Sequence, residues 1–333
     1  YFDSRMIEEV LPNLYRIEIP LPNNPLRVLN SYFIRGKERN LLIDTGFNLD
    51  VCWLAMAQAL TELGVSMDNT DLFITHYHSD HIGLIGYLST PTNTVWMSES
   101  DAQMVNANYK TNIFHTRNVN HLYHSGLLAD GTPNLPEEEA VVKYASTGLV
   151  KFTMLHEGDR IDVGGYHFQC LETPGHTQGH MCLYEPDQKI LISGDHVLAK
   201  ITPNIGLWVL DRDALKEYLL SLEKIAALDV HLVLPAHRVL IYDLRGRVEE
   251  IKQHHVRRIE DILGIVGSQK MSAAQVAKRM RWDLSYRRWD DFPINQKIHA
   301  AAEAMAHLHY LVLKGQVRMS LEEGIYYFRK EQY

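Results

Sequence analysis

Short apolar runs alternate with helical stretches in the first part of the chain, a pattern that predicts a layered α/β domain. The runs NSYFIRG, NLLIDTG and TDLFITH have the length and composition of β-strands. Between the second and the third lies LDVCWLAMAQALTELG, which predicts an amphipathic helix ending at Gly64. A further helix is expected to begin with HIGLIGYLST, directly after the third strand.

A second set of strands follows a region of weaker pattern. From about Ser98 to Gly148 the periodicity fades, and we interpret residues 98–148 as an insertion of helices and loops that covers the site. Strand-like runs resume in VKFTMLHEGDRIDVGGYHFQCLETPG and in HMCLYEPDQKILISGD, where EPDQ predicts a hairpin turn. The helix DRDALKEYLLSLEKIAAL and the strand VHLVLPAH complete this part.

The pattern becomes mainly helical after VLIYDLRGR. Three helices are predicted in EEIKQHHVRRIEDILGIVG, SAAQVAKRM and INQKIHAAAEAMAHLHYLVLKG, followed by a hairpin of QVRMS and GIYYFRK with LEE between them. This order has the outline of a winged helix. We therefore predict a main domain over residues 1–248 and a small winged-helix-like domain over residues 249–333, and we expect the latter to pack on the former and to supply a dimer contact.

Composition and charge narrow the class of protein. With 46% hydrophobic and 22% charged residues the chain is of ordinary globular composition. The net charge of −8 argues against a protein whose whole surface serves nucleic acid or an anionic membrane. From Glu250 onward, however, 14 Lys and Arg face 10 Asp and Glu, so this segment carries +4 and the preceding part −12.

The cysteines and the N-terminus bear on the compartment. Cys52, Cys170 and Cys182 form no C-x-x-C pair and suggest neither a disulfide framework nor a thiolate zinc site. The N-terminal residues lack a signal-peptide pattern, and no apolar run reaches the length of about 20 residues that spans a bilayer. We expect a cytoplasmic protein without a membrane partner, although a leader before Tyr1 is left open.

The run THYHSDH at residues 75–81 predicts a metal site. In an extended chain, side chains two residues apart share a face, so His76 and His78 can reach one ion together. Asp80 and His81 fall in the first turn of the following helix and aim elsewhere, where they can serve a second ion. Imidazole and carboxylate groups are suitable ligands for zinc and also for iron or manganese.

Three later residues have the same context, because each follows an apolar or strand-like run with small residues around it. They are His176 in ETPGHTQGH, Asp195 in LISGDH and His237 in LVLPAH. Each of them alone is as easily a packed histidine or a turn residue. Together they indicate that the edge of a sheet delivers seven ligand-type side chains into one crevice.

These motifs resemble those of the metallo-beta-lactamase superfamily. The signature H-x-H-x-D-H at 76–81, DTG at 44–46, PGHT at 174–177, GD at 194–195 and PAH at 235–237 occur in that family's order, over roughly residues 10–245. The resemblance implies a four-layer αβ/βα sandwich with both metals at one edge of the paired sheets.

The resemblance also implies a role for each ligand. His76, His78 and His176 would hold the first metal, Asp80, His81 and His237 the second, and Asp195 would bridge them. Asp44 resembles a carboxylate that orients a ligand histidine, with a simple turn residue before Gly46 as the equal alternative. Two Zn²⁺ ions per chain are expected, with iron or manganese left open, and a metal-bound hydroxide is expected to be the nucleophile. Asp80 has an additional expected catalytic role, in which it orients the hydroxide or moves a proton.

The presence of both Asp80 and Asp195 resembles the glyoxalase II, lactonase and nuclease branches of the family. The predicted winged helix resembles the beta-lactamase-like 2 group, some of whose members are ribonucleases. The sequence departs from that group after the last ligand, where Arg238 replaces the usual glycine.

The leading hypothesis is a binuclear hydrolase, expected to be a homodimer, that attacks a small electrophilic substrate such as a thioester, lactone or isothiocyanate. The first alternative is a nuclease whose winged helix presents basic residues to nucleic acid, a partner that is less favoured but not excluded: Arg257, Arg258, Lys278, Arg279, Arg281, Arg287 and Arg288. A di-iron redox protein and a non-catalytic scaffold are further alternatives.

The remaining histidines and one tryptophan are interpreted more simply. His115, His121 and His124 in the insertion could line a substrate entrance, although packed or surface positions are favoured. Trp208 is equally a pocket wall or a core residue. The histidines of the predicted C-terminal helices are interpreted as packing or surface residues: His254, His255, His299, His307 and His309.

Overall fold

The computed structural model describes residues 6–131, 150–282 and 288–331. Its chain divides into two compact units. The described residues of unit 1 are 6–113, 150–203 and 221–248, and those of unit 2 are 114–131, 204–220, 249–282 and 288–331. Segments from the middle of the chain therefore join the C-terminal segment in unit 2. The domain division predicted after residue 248 stays a prediction.

Unit 1 contains a seven-stranded sheet in which the strands follow chain order. The strands are β1 (Ile7–Leu11), β2 (Leu14–Pro20), β3 (Val28–Ile34), β4 (Asn40–Ile43), β5 (Thr70–Phe73), β6 (Val95–Ser98) and β7 (Phe152–Leu155). Neighbours from β1 to β4 are antiparallel, and neighbours from β4 to β7 are parallel. Ile43 pairs with Phe73, so β4 and β5 end side by side.

A five-stranded sheet, also in unit 1, has the order β12-β11-β10-β9-β8. Its strands are β8 (Arg160–Val163), β9 (Tyr166–Glu172), β10 (Met181–Glu185), β11 (Ile190–Gly194) and β12 (Leu232–Pro235). The predicted turn at EPDQ joins β10 to β11 as expected. Only β11 and β12 are parallel, and Gly194 pairs with Pro235, so these two strands also end together.

The main core lies between the two sheets. Tyr32, Ile43 and Phe73 of the first sheet pack with Phe168 and Ile192 of the second, and all are at most 1% exposed. Alternate side chains of the first sheet face the other way, where they pack on helices. The predicted α/β sandwich is thereby confirmed.

Nine α-helices lie in the described part of the chain. They are α1 (Asp50–Glu62), α2 (Ser79–Ile82), α3 (Ile85–Leu88), α4 (Glu99–Thr111), α5 (Ile113–His124), α6 (Ala214–Ala226), α7 (Leu244–Ile265), α8 (Ala273–Ala277) and α9 (Ile294–Leu313). Short 3₁₀ turns occur at Met67–Asn69 and Trp289–Asp291. Within the predicted insertion, α4 and α5 are the observed helices, and residues 132–148 lie outside the described residues. None of the described helices is long and apolar enough to cross a membrane.

The single helix predicted from HIGLIGYLST is wrong, because α2 and α3 are two short helices separated at Gly83–Leu84. A Cβ atom on Gly83 would lie 2.3 Å from the backbone nitrogen of Asn48 and 2.5 Å from the carbonyl oxygen of Gly46. The chain therefore approaches the loop after β4 so closely that only glycine fits. This approach brings α2 next to that loop.

In unit 2 a small antiparallel sheet accompanies the C-terminal helices. Its strands are β13 (Met271–Ser272), β14 (Val317–Glu322) and β15 (Ile325–Lys330), in the order β13-β15-β14. The turn predicted at LEE is wrong, since Leu321 and Glu322 pair within the ladder. The hairpin turns instead at Glu323 and Gly324, whose φ angles of 48° and 78° suit a two-residue turn.

Candidate metal centre

Six of the seven predicted ligands follow the carboxyl ends of strands that pair in parallel, and His176 follows the antiparallel strand β9. The loops after β4 and β5 carry Asp44 and the run 75–81, and α2 begins inside that run at Ser79. The loops after β11 and β12 carry Asp195 and His237, and His176 follows β9. Parallel neighbours deliver their following loops to one edge, which explains why residues so distant in sequence meet.

The first group of ligand atoms consists of three imidazoles, and we call it the first triad. The ring nitrogens of His76, His78 and His176 lie within 4.8 Å of one another. His76 Nε2 is 2.9 Å from His78 Nδ1, and the rings of His78 and His176 meet edge to face at 4.5 Å. Burial, and then the neighbouring imidazoles, hold the pKa of His76 well below its ordinary value, so its ring is neutral.

The second group, which we call the second triad, combines a carboxylate with two imidazoles. Asp80, His81 and His237 offer atoms within 4.8 Å of one another. The Oδ2 atom of Asp80 is 3.4 Å from His237 Nε2 and 3.7 Å from His81 Nε2. As predicted, Asp80 and His81 lie in the helix that follows the first two histidines.

Asp195 lies between the two triads. Its Oδ2 atom is 3.6 Å from His176 Nε2 and 3.7 Å from His81 Nε2, and its Oδ1 atom is 3.3 Å from His237 Nε2. It also forms a third close group with His76 and His81. One carboxylate thus faces nitrogens of both triads, which is the position expected of a bridging ligand.

Two of the histidines are oriented from behind by fixed acceptors. His81 Nδ1 donates to Asp44 Oδ2 at 2.7 Å, and His237 Nδ1 donates to the carbonyl oxygen of Val28 at 2.8 Å. Asp44 also accepts from the backbone nitrogen and the hydroxyl of Thr75, and its φ of 56° makes it a turn residue as well. Both roles considered for Asp44 are therefore observed.

In the neutral form of either ring, this tautomer presents the inner Nε2 atom as a lone pair. The Nε2 atoms of His81 and His237 and the Oδ1 atom of Asp195 are buried and have no hydrogen-bond partner among the described residues. A buried polar atom without a partner costs about 1–3 kcal/mol. Histidines that bind metals characteristically donate their other N–H to a carboxylate or carbonyl, as here. The donor set fits divalent cations.

Electrostatics also favour bound positive charge. Burial opposes ionisation of Asp80 and Asp195, but the surrounding imidazoles outweigh it and hold the pKa of both carboxyls below its usual range. Burial would lower the pKa of His81, yet the carboxylates of Asp44, Asp80 and Asp195 raise it well above its ordinary value. The ionised carboxylates are therefore available to cations.

The loop that carries His237 is fastened to β3. Asn30 Nδ2 donates to the carbonyl oxygens of Pro235 and Arg238 at 3.0 and 2.9 Å, and the Tyr32 hydroxyl donates to Pro235 at 2.8 Å. Arg238 has a φ of 70°, a conformation that favours glycine. The glycine expected here from the resemblance to the beta-lactamase-like 2 group would adopt this conformation without strain, and the guanidinium of Arg238 donates to the carbonyl oxygen of Pro25.

Sequence analysis missed two residues that support the centre, His180 and Asp101. His180 Nε2 accepts the backbone N–H of Asp195 at 3.1 Å, and its Nδ1 is 2.8 Å from the Thr173 hydroxyl. The only sequence signal was a second histidine in the run HTQGH. Asp101 lies in the first turn of α4, and nothing near it in sequence marks it.

The histidines of the predicted insertion make contacts inside unit 2. The ring of His121 is 5.0 Å from that of Trp208, and His124 Nδ1 lies 2.6 Å from the carbonyl oxygen of Gly324. His121 is buried, which fits the favoured interpretation as a packed residue.

Comparison with known proteins places these observations in a family. The family model of the metallo-beta-lactamase superfamily matches residues 25–237. The lactamase-like protein adaB of Aspergillus niger is 26% identical over 262 residues, which are 77% of this chain and 65% of that protein. This chain therefore spans less than two thirds of that relative's length.

Two further matches differ in extent. The acyl-coenzyme A thioesterase MBLAC2 of Homo sapiens is 28% identical over 178 residues, covering 50% of this chain and 58% of that protein. The crystal structure of a metallo-beta-lactamase family protein from Thermus thermophilus superposes with a TM-score of 0.81 and 28% identity, covering 97% of this chain and all of that one. With a matching family model, motif order and fold, the chain belongs to the metallo-beta-lactamase superfamily, whose members include hydrolases.

Proposed function

We propose that this protein is a hydrolase that holds two divalent cations and cleaves a small activated carbonyl compound, with an acyl thioester as the favoured class. The observation that carries the proposal is the position of Asp195 between the two triads, beside the buried Nε2 atoms of His81 and His237, which have no hydrogen-bond partner among the described residues. The thioesterase named among the relatives supports the substrate class, over the half of the chain that aligns with it.

The proposal divides the ligands as the resemblance implied. His76, His78 and His176 would hold one cation, Asp80, His81 and His237 the other, and Asp195 would contact both. Zinc is favoured by the share of imidazole nitrogens, and iron or manganese would also fit. When bound, such a pair supplies an activated water molecule and polarises the substrate oxygen.

The chain's own residues have separate tasks in this proposal. Asp44 and the Val28 carbonyl hold the protons of His81 and His237 on Nδ1, so that each Nε2 faces the centre. His180 fixes the backbone of Asp195. Asp80 would orient the attacking water or take up its proton, because a hydrolysis must pass one proton to the leaving group.

The nuclease alternative has weaker support. In unit 2, Arg258 pairs with Glu303 at 3.2 Å, Lys278 with Asp130 at 3.4 Å and Arg288 with Asp291 at 3.0 Å. Three of the six described basic residues of the predicted patch are thus matched by carboxylates, whereas Arg257, Arg279 and Arg281 are exposed. Arg287 lies outside the described residues. The balance favours a small substrate.

Metal content and substrate range test the proposal together. We expect the purified protein, reconstituted with zinc, manganese or iron, to bind two ions per chain and to hydrolyse acyl-coenzyme A thioesters. The same preparation should be assayed against lactones, isothiocyanates, beta-lactams, phosphodiesters and RNA. Fewer than two ions with every metal, or hydrolysis of RNA alone at low salt, would overturn the proposal.

We further propose that unit 2 contains a winged helix and that the protein is a cytoplasmic homodimer. The order of α7, β13, α8, α9, β14 and β15 supports the first part. The three cysteines are buried free thiols, as suits a reducing compartment. Light scattering of the purified protein tests the dimer, and a monomeric mass at micromolar concentration would contradict it.

A further inference from the structure

Asp101 is a buried carboxylate outside the seven predicted ligands. It lies in the first turn of α4, is 1% exposed, and its backbone nitrogen is capped by the Ser98 hydroxyl. Its side chain accepts hydrogen bonds from three groups outside α4: Oδ2 accepts from the backbone nitrogen of Tyr77 at 3.1 Å and from the Thr177 hydroxyl at 2.8 Å, and Oδ1 accepts from the backbone nitrogen of Gly179 at 2.8 Å.

These three donors belong to the two segments that supply the first triad. Tyr77 lies between His76 and His78, whereas Thr177 and Gly179 lie one and three residues after His176. One side chain therefore ties the loop after β5 to the loop after β9. The approach is close, because a Cβ atom on Gly179 would lie 2.6 Å from Asp101 Oδ1 and 2.2 Å from the Ser98 hydroxyl.

The second triad is held by different atoms. His81 depends on Asp44, and His237 depends on the Val28 carbonyl and on the bonds from Asn30 to its loop. Asp44 in turn is bound by Thr75. The Thr75 hydroxyl also lies 3.0 Å from His76 Nδ1, so Thr75 connects both triads, whereas the hydrogen bonds given for Asp101 reach the two loops of the first triad. Loss of the Asp101 carboxylate should therefore be felt on one side of the centre.

We propose that Asp101 is a positioning residue for the first triad, which sets the affinity of one cation and leaves that of the other unchanged. The inference rests on the proposed binuclear function. A carboxylate that accepts three hydrogen bonds fixes the separation of the two loops, and therefore the convergence of the three imidazole nitrogens. Residues that orient metal ligands in this way typically contribute 10–100-fold to affinity.

The test is a metal titration of the full-length apoprotein against a chromophoric chelator, with Zn²⁺ or Co²⁺ as the probe. In Asp101→Asn the amide retains one acceptor oxygen, but its NH₂ group faces a donor. We expect one of the two binding steps to weaken by roughly 10–100-fold and the other to change little. In the Co²⁺-loaded variant, the visible absorption bands of the weakened site should differ from those of the wild-type protein. Glu99→Gln is the matched control, since Glu99 is an exposed carboxylate in the same helical turn.

A milder pair of variants keeps the test informative if Asp101→Asn does not fold. Thr177→Val removes one of the three donors, and Thr177→Ser keeps the hydroxyl. We expect the valine variant to weaken the same binding step by a smaller factor, and the serine variant to restore it. We expect the rate of hydrolysis to fall with the weaker binding of the cation, as a lower kcat with KM little changed.

The outcomes separate this inference from the proposed function. Wild-type protein that binds two cations, with both affinities unchanged in D101N and T177V, would overturn the role of Asp101 alone. Equal weakening of both steps, together with a lower melting temperature, would overturn it too, because that pattern indicates a general role in folding. Wild-type protein that binds no cation would overturn the proposed function and this inference together.

Discussion

Buried histidines occur in both units, and their ring nitrogens are used differently. In unit 1, His81 and His237 turn their inner nitrogens toward carboxylate oxygens at 3.3–3.7 Å, with no hydrogen bond to either inner atom. In unit 2, His255 Nδ1 meets His307 Nε2 at 3.0 Å, and His307 Nδ1 donates to the carbonyl oxygen of Glu303 at 2.8 Å. His255 Nε2 is also buried without a hydrogen-bond partner among the described residues, so the difference lies in what the nitrogens face: carboxylate oxygens in unit 1 and a second imidazole in unit 2.

The carboxylates around the buried histidines also differ between the two units. In unit 1 the carboxylates raise the pKa of His81 and of His237 against the effect of burial. In unit 2 burial lowers the pKa of His307 to about 3, and the nearby Glu303 carboxylate is engaged by Arg258 and Asn204. Burial of a histidine is therefore a poor sign of metal binding by itself. Buried imidazoles beside uncompensated carboxylates are a good one.

The largest expected effect comes from breaking the bridge in unit 1. Asp195→Asn keeps the size of the side chain but removes the charge that faces both triads. We expect kcat/KM for a thioester to fall by more than about 100-fold, beyond the loss typical of residues that only orient ligands. Metal content should fall with it. Glu303→Gln removes a buried carboxylate from unit 2 and should leave the metal content unchanged. Two ions per chain in D195N would contradict the bridging role.

A variant of the histidine pair in unit 2 should have the opposite result, with a loss of stability and no loss of metal. His307→Leu leaves the Nδ1–H group of His255 buried without its acceptor. We expect the free energy of unfolding to fall by about 1–3 kcal/mol, the usual cost of an unsatisfied buried group. Urea denaturation measures this loss, and metal analysis of the same sample should still give the wild-type content. Loss of metal from H307L would show that the two groups of histidines are not independent.

Acid should act on the hydrogen-bonded pair through His307. Its folded pKa of about 3 lies below the value of about 6.5 in an unfolded chain, so the unfolded state binds more protons between these values. Stability is present above pH 6.5 and is lost as the pH falls toward 3, by about 2 kcal/mol at pH 5. The backbone of Glu303 favours the protonated ring, and Arg258 and His254 oppose it.

The difference between wild type and H307L reports His307 together with His255, whose pKa is lowered by burial and by His307, and removes the contribution of more distant groups that titrate in acid. Denaturation of both proteins from pH 7 to pH 5 should show a shallower loss of stability in the variant. Parallel curves would mean that His307 is protonated in the folded protein.

The convergence of the predicted ligands could be anticipated from sequence because each is a distinctive residue shortly after an apolar strand. His76 and His237 needed only the rule that parallel strands deliver their loops to one edge. The residues and backbone groups that orient these side chains could not be predicted in the same way. Asp101 reaches Tyr77 and Gly179 across long stretches of sequence, and the acceptor for His237 is a backbone carbonyl, which no residue type reveals.

The errors in the predicted fold have the same origin. The break between α2 and α3 follows from the contact of Gly83 with the loop at 46–48, and the position of the last turn follows from the pairing of Leu321 with Tyr326. Local pattern also gave no sign that residues 204–220 join the C-terminal segment in unit 2. Each of these features depends on contacts between residues that are far apart in sequence, or on a strand register that local secondary-structure propensity does not determine.

The smallest expected effect concerns Arg238, which follows a ligand but does not orient it. Arg238→Gly removes the strain of a left-handed conformation, which costs a residue with a side chain about 1–2 kcal/mol. Against this gain, glycine loses about 0.5–1 kcal/mol more backbone entropy on folding, and the hydrogen bond to Pro25 is lost. These terms nearly cancel, so stability and kcat/KM should change little, within about twofold for the rate. Asn30→Ala is the contrasting variant, because it removes two bonds to the loop. If R238G weakened metal binding and N30A did not, His237 would be held by the loop conformation rather than by the strand behind it.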